Sequence, residues 1–169
     1  MNSAVVALEN NSKAEKTKAR YNCTNYLFIK WLYENQQQYP QFLKPQYLPQ
    51  MNEAHERDEA VRATARKKNK HFRAVVIKLL HDATPSANSC PVDMSKVTYE
   101  VMASYLASLK TDDDRFKGMS TYDGARSSIM YLMKQDNQYP PPQYKEKVCN
   151  LLKGFRRTIQ QQKVDNGES

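Results

Sequence analysis

The residues from which chemistry would have to be built are three histidines, three cysteines and one acidic run. His55, His71 and His81 have no second histidine or carboxylate at a convincing metal-ligand spacing on a helix. His81 and Asp82 are adjacent, and side chains at i and i+1 do not converge on a helix. Cys23, Cys90 and Cys149 are odd in number, far apart and without a C-x-x-C pair, which points to neither a disulfide framework nor a zinc site. Cys23 and Cys149 fall inside helical patterns, where a thiol is expected to be buried as a small hydrophobe. Asp112, Asp113 and Asp114 are of a type that binds Mg²⁺, but in a loop they read as a solvated helix terminator. The chain has no glycine-rich phosphate loop, no G-x-S-x-G and no H-E-x-x-H, so nucleophile, base and orienter do not assemble. No catalytic residue, metal, cofactor or small-molecule substrate is expected.

Cationic side chains dominate instead. Lys and Arg number 26 against 18 Asp and Glu, a net charge of +8, and such a balance favours a polyanionic partner through counterion release. Two groups have helical spacing. Arg62, Arg66, Lys70 and Arg73 succeed one another at i+4, i+4 and i+3, which predicts a basic line along one face of a helix. Lys153, Arg156, Arg157 and Gln160 lie roughly opposite an apolar stripe, so their helix can pack on one side and meet phosphates on the other. The run from Arg66 to Arg73, which includes Lys67, also has the look of a nuclear-import cluster. A charged helix face is otherwise simply a solvated surface.

The elements that must carry these groups are helical. The chain has 169 residues, 40% of them hydrophobic, and only 4 glycines, which suits one all-α domain without disulfide or metal staples. Residues 1–11 read as a disordered N-terminus and 164–169 as a polar tail, leaving 12–163 as the domain. Ser12 with Glu15 has the form of a capping box, and Tyr21, Thr24, Phe28, Trp31 and Leu32 follow at helical spacing up to about Asn35. Trp31 reads as core. Pro40, Pro45 and Pro49 predict an extended connector. Residues 53–82 form a helical block with an almost coreless first half and a stripe of Phe72, Val75, Val76, Leu79 and Leu80 in its second. After a loop over 83–92, Thr98 predicts an N-cap, with Val101, Met102, Tyr105, Leu106 and Leu109 as the buried face. Ser120 and Asp123 predict a capping box for the next helix, whose core face is Tyr122, Ala125, Ile129, Leu132 and Met133. Gly124 inside it suggests close approach by another backbone. Pro140, Pro141 and Pro142 break the chain, and a last helix over 143–163 buries Val148, Leu151, Leu152, Phe155 and Ile159. No apolar run reaches the roughly 20 residues of a membrane span and no signal peptide is evident. A reducing intracellular compartment, a nuclear one given the basic cluster, is the expected location.

Four segments in this order resemble the N-terminal core-binding (SAM-like) domain of tyrosine recombinases: TKARYNCTNYLFIKWLYEN, VTYEVMASYLASL, GMSTYDGARSSIMYLMKQD and PPQYKEKVCNLLKGFRRTIQQQK. Within that superfamily, STYDGARSSIMYL followed by LLKGFRRTIQQQK is most similar to the Crypton-type recombinases of eukaryotic transposable elements. The resemblance covers roughly residues 16–164, with 53–82 its least standard part, an inserted helical block. It implies a small orthogonal bundle of four to five helices forming one half of a clamp around duplex DNA. It also implies that catalysis, by arginines, a histidine or lysine and a tyrosine nucleophile, belongs to a separate domain. The third segment would bring Ser120, Thr121, Tyr122 and Arg126 near DNA, with Lys117 just before it, and the fourth Lys153, Arg156 and Arg157. With Arg66, Lys67, Lys70 and Arg73 from the inserted block, these are the expected DNA-binding residues. Tyr122 sits equally well in the core. Self-association on DNA is compatible with this role.

The competing expectation is a helical protein–protein interaction module whose basic residues serve solubility. Convergence of Lys70, Arg73, Arg126, Lys153, Arg156 and Arg157 on one concave surface favours DNA; dispersal favours the interaction module.

Overall fold

The structure, a computed structural model, describes residues 3–167. Among them the chain is all-α, with six α-helices and two short 3-10 turns. The helices are α1 (Ser3–Glu34), α2 (Leu48–Val61), α3 (Lys70–Asp82), α4 (Tyr99–Ser108), α5 (Met119–Gln135) and α6 (Pro142–Asp165). That is one or two more than the four to five expected, because the 53–82 block is two helices.

Helix α1 is the spine. Its apolar positions Phe28, Ile29 and Leu32 are buried, and it packs against α3 on one side and α5 on the other. The α3 contact is antiparallel, since Lys18 reaches the carbonyl of His81 while Arg73 lies against Cys23. The α5 contact is antiparallel as well, with Tyr21 against Tyr131 and Asn25 Nδ2 donating to the Ser128 carbonyl at 2.9 Å. Helix α2 packs on α3 and reaches α1 where the Tyr33 hydroxyl donates to Asn52 Oδ1 at 2.7 Å, and α6 packs on both α5 and α4. Trp31, expected in the core, is half-buried and packs against it, its ring meeting Phe28, Tyr39 and Tyr105.

Several boundaries differ from expectation. Helix α1 begins at Ser3, not Ser12, so most of the stretch expected to be disordered is helical; the Ser12 side chain lies outside the described residues. Helix α2 starts at Leu48 with Pro49 in its first turn, where the missing N–H costs nothing. The expected connector is correspondingly shorter. Ala54 is buried, as is Met51 just before the block, so the first half of the 53–82 block does contribute to the core.

The block breaks at residues 62–69, which form a turn. The break has a tertiary cause. Asp58 is buried in α2, and its two carboxylate oxygens accept from the backbone N–H groups of His71 and Phe72 at 2.9 and 2.8 Å. Those are two of the unpaired donors at the start of α3, and a continuous helix would carry Phe72 far from Asp58. Five cations between Arg62 and Lys70 with no carboxylate among them also disfavour helix there.

The two proline-rich connectors are stitched to each other and to the end of α5. Lys44 N donates to the Pro91 carbonyl and Asp93 N to the Phe42 carbonyl. Asp136, just past α5, accepts from Lys44 Nζ at 2.7 Å and from Met94 N at 2.8 Å. Asn137 follows with a left-handed φ of 58°, a conformation that asparagine tolerates at a helix C-terminus. Its amide donates to the Pro85 carbonyl at 2.8 Å.

Helix α4 starts as predicted, with Thr98 Oγ1 accepting from Val101 N. Helix α5 does not. Its N-cap is Gly118, without a side-chain cap, and Ser120 lies inside the first turn. No other backbone approaches Gly124, which is exposed. Helix α6 continues through Asp165, past the expected start of a polar tail at 164. Cys23 and Cys149 are exposed, contrary to expectation, and Cys90 in the loop is buried.

Candidate nucleic-acid interface

Two regions of the fold collect cations. The first is the turn between α2 and α3. Arg66, Lys67 and Lys70 line a hollow of about 440 Å³ there, together with Asp58 and His71. The predicted helical line through Arg62, Arg66, Lys70 and Arg73 does not exist, because residues 62–69 are not helical. Arg62 turns back onto Glu59 at 2.5 Å, and Lys68 Nζ caps the Arg62 carbonyl. Arg73 leans across α1, its guanidinium 5.4 Å from the Tyr26 ring centroid and 3.6 Å from Cys23 Sγ.

The second is the edge along which α5 meets α6. Stacking of Tyr122 on Phe155, with centroids 4.5 Å apart and planes 11° from parallel, fixes the register of the two helices. With Met130 and Val148 facing one groove further along, α5 and α6 run antiparallel. Val148, Leu152, Phe155 and Ile159 are buried as predicted, and Leu151 is half-buried. Helix α6 carries six basic residues and two acidic ones, a net +4 out of the chain's +8.

Those cations are not spread evenly round the helix. Lys145, Cys149, Lys153 and Arg156 follow at i, i+4, i+8 and i+11, a single edge. Lys145 and Cys149 face Arg126 and Lys134 of α5 across a groove of about 570 Å³. The α6 edge therefore leads from this groove to Lys153 and Arg156, with Arg157 a little further round. Arg126, Lys134, Lys145, Lys153, Arg156 and Arg157 form no ion pair among the described residues. No carboxylate lines the groove. The Tyr131 hydroxyl is held above its ordinary pKa by burial first and by the Glu15 charge second.

The structure thus groups Arg126, Lys153, Arg156 and Arg157, and leaves the other expected residues elsewhere. Lys117 stands beside the C-terminal turns of α6, in a hollow with Arg115, Gln162 and Lys163. Ser120 is exposed near the start of α5. Tyr122 is corrected from a contact residue to a core residue: it is 0% exposed. Its hydroxyl donates to the Leu109 carbonyl and accepts from Lys117 N at 2.9 Å. Burial raises the pKa of this hydroxyl, so it remains a neutral structural group. The six residues proposed to share one concave surface are divided, with Lys70 and Arg73 on the α3 side of α1 and the rest on the α5–α6 side.

Lys134 and Lys145 were not among the expected contacts. Their signal was present: Lys134 lies eight residues after Arg126, and Lys145 eight before Lys153, about two helical turns in each case. Only the antiparallel packing of α5 on α6 brings the two spacings together. Among the described residues no group of three metal-ligating side chains forms, and no helix is long and apolar enough to cross a membrane. Scans against protein-family models, curated proteins and solved structures give no match.

Proposed function

We propose that the protein binds double-stranded DNA through the α5–α6 edge, as the core-binding half of a tyrosine-recombinase-like protein, without catalysis by these residues. The observation that supports it is the edge itself: cations from two helices, all exposed but the half-buried Arg126, with no ion pair among the described residues and no carboxylate lining the groove between them. Unpaired cations in a row gain most from a polyanion, because each phosphate met releases condensed counterions. Contacts of this kind position a duplex and do not read its sequence. The bundle order is compatible with the clamp-half role that the four quoted segments imply, and a nuclear location follows from the same reading.

Binding to a labelled duplex of about 30 base pairs, measured over a series of salt concentrations, tests the proposal. The expected result is an affinity that falls linearly in log–log form, with a slope reduced by about three in an Arg126→Ala/Arg156→Ala/Arg157→Ala variant. Salt-independent binding, or no binding by a chain whose helices are intact by circular dichroism, sinks it.

The second reading, a protein-interaction module, draws on the division of the basic residues into two groups on opposite sides of α1. It predicts that DNA leaves the chain unchanged and that a partner or second copy covers exposed apolar side chains such as Leu27 and Tyr139, which are 50% and 79% exposed.

A further inference from the structure

Besides its cations, the groove between α1, α5 and α6 presents aromatic surface that contact with a duplex backbone does not use. Tyr21 and Tyr131 pack as a pair on its wall, centroids 4.8 Å apart and planes at 33°. At its rim stands Tyr139, 79% exposed, with no ring, hydrogen-bond or ion partner among the described residues. Tyr139 is held on a stiff segment. Asn137 before it is locked in the left-handed region and tied to Pro85, and Pro140 and Pro141 after it restrict the backbone.

We infer that this groove takes an unpaired stretch of nucleic-acid strand, its phosphates on Arg126, Lys134 and Lys145 and its bases against Tyr131 and Tyr139. The inference rests on the proposal that the α5–α6 edge binds nucleic acid, and adds to it the form of the strand and the residues that stack. Charge and shape both select the occupant. Three cations without a lining carboxylate call for a polyanion. In a duplex the faces of the bases are covered by their neighbours, so tyrosine faces gain contact only with bases that are unpaired; a groove combining cations with aromatic platforms suits a single strand. An acidic peptide would satisfy the cations and leave Tyr139 unused. The α6 edge at Cys149, Lys153 and Arg156 continues from the groove, giving the same strand a cationic path toward the duplex-binding face.

Two substrates test it on the full chain: a single-stranded oligothymidine of about 15 nucleotides carrying one 2-aminopurine, and the blunt duplex. The wild-type chain is expected to bind both and to quench the 2-aminopurine. Tyr139→Ala should weaken single-strand binding about ten-fold and abolish the quenching, leaving duplex affinity within about two-fold, since one base–aromatic stack is lost; Tyr139→Trp should restore both. Bound single strand should also protect Cys149, which lines the groove, from alkylation, while the exposed Cys23 on α1 stays reactive. Tyr139 is outside the core, so its substitution leaves the fold in place. Duplex binding without single-strand binding overturns the inference and leaves the edge proposal standing. So does an equal loss on both substrates, or displacement by polyglutamate as effective as by oligothymidine. Binding to neither substrate overturns both.

Discussion

The α2–α3 turn and the α5–α6 edge carry similar charge and hold it differently. In the turn, five cations fall within nine residues of chain, and the surrounding structure answers two of them. Arg62 is paired with Glu59 and Lys68 is bonded to a carbonyl, while Arg66, Lys67 and Lys70 line a hollow that also holds the Asp58 carboxylate. On the edge, cations from two helices are brought together by packing, and none forms an ion pair among the described residues. On the proposed reading, local density of charge is a poor guide to a binding surface. What matters is whether the fold leaves the charge unpaired and aligned.

The largest effect expected from this contrast is on duplex affinity. Removing Arg126, Arg156 and Arg157 should cost about 100-fold at low salt, roughly 2.7 kcal/mol. Removing Arg66, Lys67 and Lys70 should change the affinity by less than about three-fold. Titration of the two triple variants against one duplex measures both, and equal losses would erase the distinction between the regions.

Next is the stability of the turn itself. Asp58→Ala leaves two N–H groups at the start of α3 without their acceptor, and should cost about 2 kcal/mol in urea unfolding. A loss below about 0.5 kcal/mol would mean that the Asp58 carboxylate does not hold the α2–α3 turn.

The corresponding bond on the other side is smaller. Tyr122→Phe keeps the ring stacked on Phe155 but removes the hydroxyl between Leu109 and Lys117, with an expected cost of about 1 kcal/mol. Duplex affinity should stay unchanged, because Tyr122 is core. A selective loss of DNA binding with full stability would return it to the interface.

The smallest effect lies in the frame that joins the two regions. Burial pushes the Cys90 thiol up from 9.0 to about 12. The folded chain therefore keeps a proton that the unfolded chain releases, so stability is fully present below about pH 9 and declines as the pH rises toward about 12. At about pH 9.5 the decline should be under about 1 kcal/mol. Cys90→Val should flatten the curve of unfolding midpoint against pH over that range; an unchanged curve would assign the decline to other groups.

Much of the fold was legible in single helices. The stripes of α3, α5 and α6 were read from 3.6-residue spacing, and Thr98 from its place before an apolar run, because these depend on neighbours within two turns. Ser120 misled, since an S-x-x-D pattern serves as a cap only where the chain actually enters the helix, and here it enters at Gly118. Cys23 and Cys149 misled for a related reason: a small residue beside an apolar stripe does not say which side of the stripe a neighbour covers.

The sequence by itself determined an all-α chain, a basic surface and the apolar face of each helix that packs, because periodicity and composition are local quantities. The tertiary structure alone decided that the 53–82 block is two helices, since Asp58 reaches its partners only when the chain folds back. It alone decided that Tyr122 is interior and that Lys134 and Lys145 join Arg126 beside Tyr139. Those outcomes depend on which helices face each other and in which direction they run, and the packing of buried side chains across distant segments sets both.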